Sequence, residues 1–553
     1  MTRVLNWLRQ HGFWTIITLL GFFVVIALIL YPMFNVLRES FVDADTGAFG
    51  FGNYRTFFET PYYTRSLINS LTVSLGGTLG AIILGVPLAF FTTRYNVWGT
   101  PALTSLATLA LLTPPFLGAY AWIVMLGRNG FLRLILAAIG IPLPSIYGPF
   151  GIILVFSLQY YPFVFLLTSS GLQTADRSLE EAASNLGASP LRRFFRVTLP
   201  LVTPSMTSGA LLAFMLSLAN FGTPQIIGGG FRVLPTMAYN MYTSEMATRP
   251  AMASTISIIL VIAATIGIFI QRYAAKRRKY TSVMLNRHLV VQLRGVRNAL
   301  THLVSYFIVG LSTLPILVVI VFAFRRTRGP VFAPGFSLDT FRQVMGDVPR
   351  AITNSFVFSF SALLLIVVLG TVLGFVLTRR SNTATRILDS LLMTPYMIPG
   401  TVLGIGFITA FNQPPVILYG TAAIIILAYF IRRLPYSVRS AVSIVQQIDP
   451  ALEEAGISLG ATPSQAFRKV ALPLMIPGII SGAVLSWITS INELSASIVL
   501  YVGRTVTMPI RIYAWVMDGY FGPASALAAI LLAATGIALL IVNTLGRGRR
   551  DIV

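Results

Sequence analysis

The chain has 553 residues, 55% of them hydrophobic and only 10% charged, with a net charge of +23 and no cysteine. Soluble domains carry about 25% charged residues, so a string of soluble domains is excluded, and the missing thiols exclude disulfides, thiolate metal sites and a cysteine nucleophile. Basic charge in so apolar a chain is the Lys/Arg bias of membrane loops and not a nucleic-acid footprint.

Apolar stretches of roughly 20 residues, enough to cross a hydrocarbon core of about 30 Å as helices, recur along the whole chain. They predict spans near 14–36, 69–92, 101–126, 149–172, 201–227 and 251–271, then near 302–324, 354–378, 387–411, 418–438, 474–500 and 521–545. The expected fold is an all-α polytopic membrane protein of about 12 transmembrane helices, since a barrel would need short alternating strands. The first stretch is too long for a signal-peptide core of about 7–15 residues and reads as a retained helix. With the N-terminus in the cytoplasm, most of the 40 Lys and Arg fall on the cytoplasmic side, Lys276-Arg277-Arg278-Lys279 foremost; Arg325, Arg326 and Arg328 run against this trend. Both termini are then expected in the cytoplasm. The expected organisation is a first six-helix half at 1–275, a basic cytoplasmic linker at 276–300 and a second six-helix half at 301–553.

The halves repeat each other. Asn69-Ser70 opens the second span and Leu88, Thr93 and Arg94 close it; Asn354-Ser355, Leu373, Thr378 and Arg379 do the same, in the same register, for the eighth. Thr113-Pro114 and Thr394-Pro395 interrupt the third span of each half, as helices that bend or line a cavity do, though a simple kink fits equally. Pro162 and Pro435 interrupt the fourth spans. Six spans per half make the repeat parallel, with its axis along the membrane normal.

Two polar islands repeat as well, one in each half and matched without a gap. Glu180, Glu181, Ala182, Ala183, Gly187, Pro190, Val197 and Leu199-Pro200 correspond in order to Glu453, Glu454, Ala455, Gly456, Gly460, Pro463, Val470 and Leu472-Pro473. The glutamates suit the start of a short helix, where the dipole favours acidic groups. Gly187 and Gly460 suit a left-handed helix end. Ser189 and Thr462 suit N-caps with proline in the first position of a second short helix, which Pro200 and Pro473 are expected to limit. Each island is therefore expected to be two short helices hinged at a glycine, with small residues that admit another surface.

The pattern Glu-Ala-Ala, three residues, Gly, nine residues, a β-branched aliphatic, one residue, Leu-Pro resembles the ATPase-docking loop of binding-protein-dependent ABC importer permeases; the second copy departs from it only at Gly456. The resemblance runs over nearly the whole chain and implies the type I importer permease fold. The fused format, Asn220-Phe221-Gly222-Thr223-Pro224 and Ile491-Asn492-Glu493-Leu494-Ser495 resemble the ferric-iron-type subfamily, which also embraces thiamine, aminoethylphosphonate and polyamine importers. It implies two copies of an ABC ATPase on the cytoplasmic face, an external or periplasmic substrate-binding protein, and a place in a bacterial inner membrane.

The chain's three lysines, Lys276, Lys279 and Lys469, none after a glycine, make no phosphate-binding loop. No cofactor is expected in this chain, with ATP and Mg held by the partner ATPase; His11, His288 and His302 have no metal-ligand spacing, and the chain is expected to be a transport subunit and not an enzyme. Glu493 falls inside the eleventh span, where an ionised acid costs at least about 2.5–3.5 kcal/mol and usually faces a cavity. Its counterpart in the first half, in the register of the polar islands, is Asn220. The pair either lines the translocation path, disfavouring anions, or forms an interhelical lock. An ion-coupled secondary transporter or a channel would have no use for the duplicated loops.

Overall fold

A computed structural model of the chain describes residues 2–43, 47–128, 130–141, 144–175, 177–243, 249–276, 291–329 and 331–547. Among the described residues, ten helices are long and apolar enough to cross a membrane: Gly12–Ser40, Pro61–Arg94, Pro115–Ala138, Pro149–Thr174, Pro190–Leu218, Pro250–Ile270, Gly295–Ala323, Pro349–Arg379, Pro463–Ile491 and Phe521–Ile541. Seven of them begin at a proline, whose missing N–H costs nothing in a first turn and whose fixed φ suits it. Thr383–Tyr396 and Gly400–Phe411 form an eleventh span bent by 108°. Ala422–Gln447 holds the remaining place in the expected order; it is 26 residues long but carries Arg432, Arg433 and Arg439. Elsewhere the described chain departs from helix in two small hairpins, Arg325–Arg328 with Val331–Phe336 and Asn412–Gln413 with Val416–Ile417. The spans below are numbered first to twelfth in chain order.

The chain forms two compact units, and they cut across the expected halves. One comprises Met1–Gly50, Thr248–Thr255 and Arg326–Val553, the other Phe51–Ala247 and Ile256–Arg325. The first span thus belongs with the second half: a Cβ on Gly21 would lie 2.9 Å from methyls of Leu373 and Leu388, and the Trp14 ring lies 5.0 Å from Phe375 and 5.7 Å from Phe467. The seventh span belongs with the first half, where Ser312 bonds the Tyr161 hydroxyl at 2.9 Å and Tyr306 donates to the Trp98 carbonyl at 2.6 Å. The division at 275 and 301 follows the sequence repeat, whereas packing follows which apolar faces match. Residues 277–290 of the linker lie outside the described residues.

Both units are held by the same crossing of their second and fourth spans. A Cβ on Gly85 would sit 2.9 Å from the Tyr161 carbonyl oxygen and the Val164 Cβ; on its counterpart Gly370 it would sit 2.7 Å from the Ser437 Cβ. In lipid the backbones gain chiefly by close approach, which small residues allow.

Candidate functional site

The two polar loops fold alike. Arg177–Asn185 and Pro450–Ser458 are the first short helices. Asp449 caps the second of these by accepting from Ala451 N at 2.9 Å; its counterpart Asp176 lies outside the described residues. Gly187 and Gly460 adopt φ of 78° and 92°. Their amides bond Ser184 O and Ile457 O at 2.9 Å, and those of Ala188 and Ala461 bond Ala183 O and Gly456 O at 3.0 and 3.1 Å. This paired closure satisfies the last carbonyls of each helix and needs a left-handed residue at its corner.

Ser189 and Thr462 then accept from Arg192 N and Gln465 N, and Gln465 Oε1 in turn accepts from Thr462 N at 2.9 Å, completing a capping box in the second loop only. Beyond these caps the expectation of a short helix limited by Pro200 or Pro473 fails. Pro190–Leu218 and Pro463–Ile491 each run on as one 29-residue helix. A wide turn at Phe194–Thr198 and Phe467–Ala471, closed by Leu199 N to Phe194 O and by Leu472 N to Phe467 O, precedes each proline. A proline ring would clash with the carbonyl four residues back; the widened turn takes up that misfit without ending the helix.

The two glutamates of each loop differ. Glu180 is half-buried and accepts from Arg94 Nη2 at 2.8 Å and Thr198 Oγ1 at 2.9 Å. Glu453 accepts from Arg379 Nε at 2.9 Å, and Arg379 Nη2 donates to Ile448 O at 2.7 Å. Arg94 and Arg379, visible in the sequence only as matching ends of the second and eighth spans, tie the loops to those spans. Glu181, Ala182, Gly187, Glu454, Ala455 and Gly460 are exposed, and Ala183 and Gly456 half-buried. Beside each glycine stands a leucine that the sequence reading passed over: Leu186 is 88% exposed and Leu459 90%. The two leucines stand at the same point of the two polar loops.

The Asn-Ser pairs that open the second and eighth spans also act as a repeat. Asn69 donates to Arg232 O at 2.9 Å and Ser70 accepts from Leu234 N at 2.7 Å; Asn354 donates to Val506 O at 2.9 Å and Ser355 accepts from Met508 N at 2.7 Å. Each pair pins the start of the helix that follows, Leu234–Thr243 or Met508–Met517.

Inside the spans the halves part. Asn220 is buried just beyond the fifth span; its amide donates to Tyr160 Oη at 2.8 Å and its Oδ1 accepts from Thr223 N at 2.9 Å. Gln159 donates to Ala110 O at 3.0 Å and Thr113 O at 2.8 Å, carbonyls freed where the short apolar helix Thr100–Leu112 ends just before the third span. In the register of the polar loops, the counterparts of Gln159, Tyr160 and Asn220 are Arg432, Arg433 and Glu493. The Glu493 carboxylate, 4% exposed, binds Arg432 Nη1 at 2.5 Å and Arg433 Nη2, and accepts from Ala496 N at 3.1 Å. Asn220 and Glu493 therefore share one local task, capping the backbone three residues on. Glu493 is no lone acid. Two guanidinium groups against one carboxylate leave the centre net positive, which removes the ground for expecting anions to be disfavoured. The signal was present as two adjacent arginines inside the tenth span, just before Pro435.

Comparison with known proteins agrees with the repeat. The family described as binding-protein-dependent transport system inner membrane component matches residues 81–280 and again 366–551. A putative ferric transport system permease protein, FbpB 1, of Haemophilus influenzae is 28% identical over 518 residues, covering 90% of this chain and 78% of that protein. The ferric transport system permease protein FbpB of Actinobacillus pleuropneumoniae is 28% identical over 537 residues, covering 94% of this chain and 75% of that one. The spermidine/putrescine transport system permease protein PotB of Haemophilus influenzae is 30% identical over 262 residues, 46% of this chain and 90% of that protein. With the family matched once in each half, the chain belongs to the inner-membrane permease components of binding-protein-dependent ABC importers, as a multi-pass transport subunit and not an enzyme.

Proposed function

We propose that each polar loop seats one copy of a separate ABC ATPase on the cytoplasmic side, so that a two-fold ATPase engages both loops of one chain. The observation that supports this is the pair Leu186 and Leu459, almost fully exposed on loops otherwise closely matched. Glu181 and Ala182 in the first loop, and Glu454 and Ala455 in the second, are exposed as well, while Glu180 and Glu453 hold each loop to its neighbouring span. ATP and Mg belong to that partner, and no cofactor is assigned to this chain. Both termini lie in the cytoplasm in this arrangement, and a periplasmic binding protein delivers solute to the opposite side.

The solute we assign is ferric iron, supported by the names of two relatives that match about nine-tenths of the chain. A polyamine is the runner-up, supported by a relative that matches one half; thiamine and aminoethylphosphonate are further members of the same group of cargoes. Uptake of radioactive iron into proteoliposomes holding the permease, its ATPase and its binding protein tests the assignment. Vanadate-sensitive iron uptake is the expected result, and uptake of spermidine or thiamine in place of iron would overturn it. Co-purification tests docking: charge reversal at both Glu181 and Glu454 that left the ATPase bound would remove the loops from that role.

A further inference from the structure

One face of the tenth span is partly open over its second half, from Arg432 to Gln446. Arg432 and Arg433 are 14% and 15% exposed, Tyr436 and Ser440 half-buried, Arg439 43% exposed and Gln446 exposed, whereas Leu434, Pro435, Ser437, Val438, Ala441 and Val445 are buried. That spacing places the open residues on one helical stripe. Along it the Arg433 guanidinium lies 6.0 Å from the Tyr436 ring, and Tyr436 meets Tyr396 edge-on at 5.1 Å. Arg439 then pairs with Asp389 at 2.9 Å. The stripe ends in a cavity of about 470 Å³ lined by Thr378, Ser381, Arg386, Asp389, Arg439 and Gln446.

Four arginines, Arg386, Arg432, Arg433 and Arg439, face two carboxylates, Asp389 and Glu493, on this track. Among the described residues, the Nε groups of Arg432 and Arg433 are buried donors without a hydrogen-bond partner. The corresponding stripe of the fourth span, Gln159, Tyr160, Phe163, Leu166 and Gln173, carries no charge. Charged side chains within a span usually face a cavity or a solute route. A guanidinium fork matches the oxygens of carboxylate, phosphate and phosphonate groups.

We propose that this stripe is a solute track that selects an anion: a phosphate- or phosphonate-bearing molecule, or a metal ion enclosed in an anionic carboxylate chelate, and not a bare polyvalent cation. Glu493 is then a positioning residue that holds Arg432 and Arg433 in place. The inference rests on the importer-permease reading and is independent of iron. If iron is the cargo, it crosses as a chelate whose hard oxygen ligands come from the carboxylates.

The test uses the complete complex in proteoliposomes, with ferric citrate, orthophosphate, 2-aminoethylphosphonate and spermidine as separate probes. The expected result is uptake of at least one anion, a fall of about tenfold with Arg432→Gln or Arg439→Gln, and recovery with Arg432→Lys, as charge-lined selectivity requires. The variant Arg432→Gln/Arg433→Tyr/Glu493→Asn, which copies the neutral trio of the first half, guards against misfolding: it is expected to assemble in normal yield and still lose anion uptake. Spermidine as the transported probe, no uptake of any anion, or anion uptake unchanged in the neutral triple variant would each overturn the track. Phosphonate uptake that depends on Arg432 would leave the track standing and remove iron; loss of the ATPase from the complex would strike the docking reading alone.

Discussion

The first half builds its intramembrane polar centre from Gln159, Tyr160 and Asn220, and the second builds it from Arg432, Arg433 and Glu493 at the same three positions. Both centres cap the backbone after the long fifth or eleventh span. Only one of them also holds charge in a low-dielectric interior, where ions are costly unless paired. The polar loops show the opposite outcome: there the two halves keep the same ion pair, the same left-handed glycine and the same exposed leucine. On the proposed reading, loops that fit two copies of one partner would be held to one design, whereas an interior that meets a solute without two-fold symmetry would be free to diverge.

The comparison breaks most readily at Glu493. Glu493→Gln leaves two guanidinium groups without their shared counter-charge and should cost about 3–5 kcal/mol, as removing one partner of a buried pair does. Asn220→Ala should cost only about 1–3 kcal/mol for the donor and acceptor it orphans. Thermal melts of the two variants in one detergent measure the difference, and equal losses would mean that the second centre behaves as a neutral one.

Docking should be more even. Leu186→Ser and Leu459→Ser each remove an anchor worth about 1.5–3 kcal/mol when buried, and titration of ATPase onto the permease should show similar weakening for both. A loss confined to one loop would end the two-fold picture. Arg94→Ala and Arg379→Ala should follow, at about 1–3 kcal/mol each. Arg94 should cost more, because its side chain is 7% exposed against 15% for Arg379. The smallest effect belongs to the hinges: Gly187→Ala and Gly460→Ala meet open space and should pay only the left-handed penalty of about 1–2 kcal/mol. Faster hydrogen exchange at the Ala188 and Ala461 amides, by roughly 5–30-fold, would report it.

Much of this was legible in the linear chain. Caps, left-handed glycines and apolar lengths depend on close neighbours in sequence, so Ser189, Thr462, Gly187 and Gly460 behave as their local sequence dictates. The wide turns before Pro200 and Pro473 were not legible, because whether a proline ends a helix or is absorbed depends on what the rest of that helix gains by continuing into the membrane. Glu493 was legible as a costly residue, but its counter-charges were not. Its partners Arg432 and Arg433 lie far back in the sequence, on a different span, and only helix packing brings them into contact.

The sequence by itself determined the membrane class, the two-fold repeat, the paired polar loops and the family, since hydropathy, capping and motif spacing are properties of short segments. Tertiary structure alone decided that the first span packs with the second half and the seventh with the first. It alone decided that Glu180 and Glu453 tether the loops while Leu186 and Leu459 remain open. It also brought Arg432 and Arg433 against Glu493 to make a net-positive centre. In each case the outcome rests on side chains from distant segments sharing a low-dielectric interior, where pairing is strong and its absence is costly.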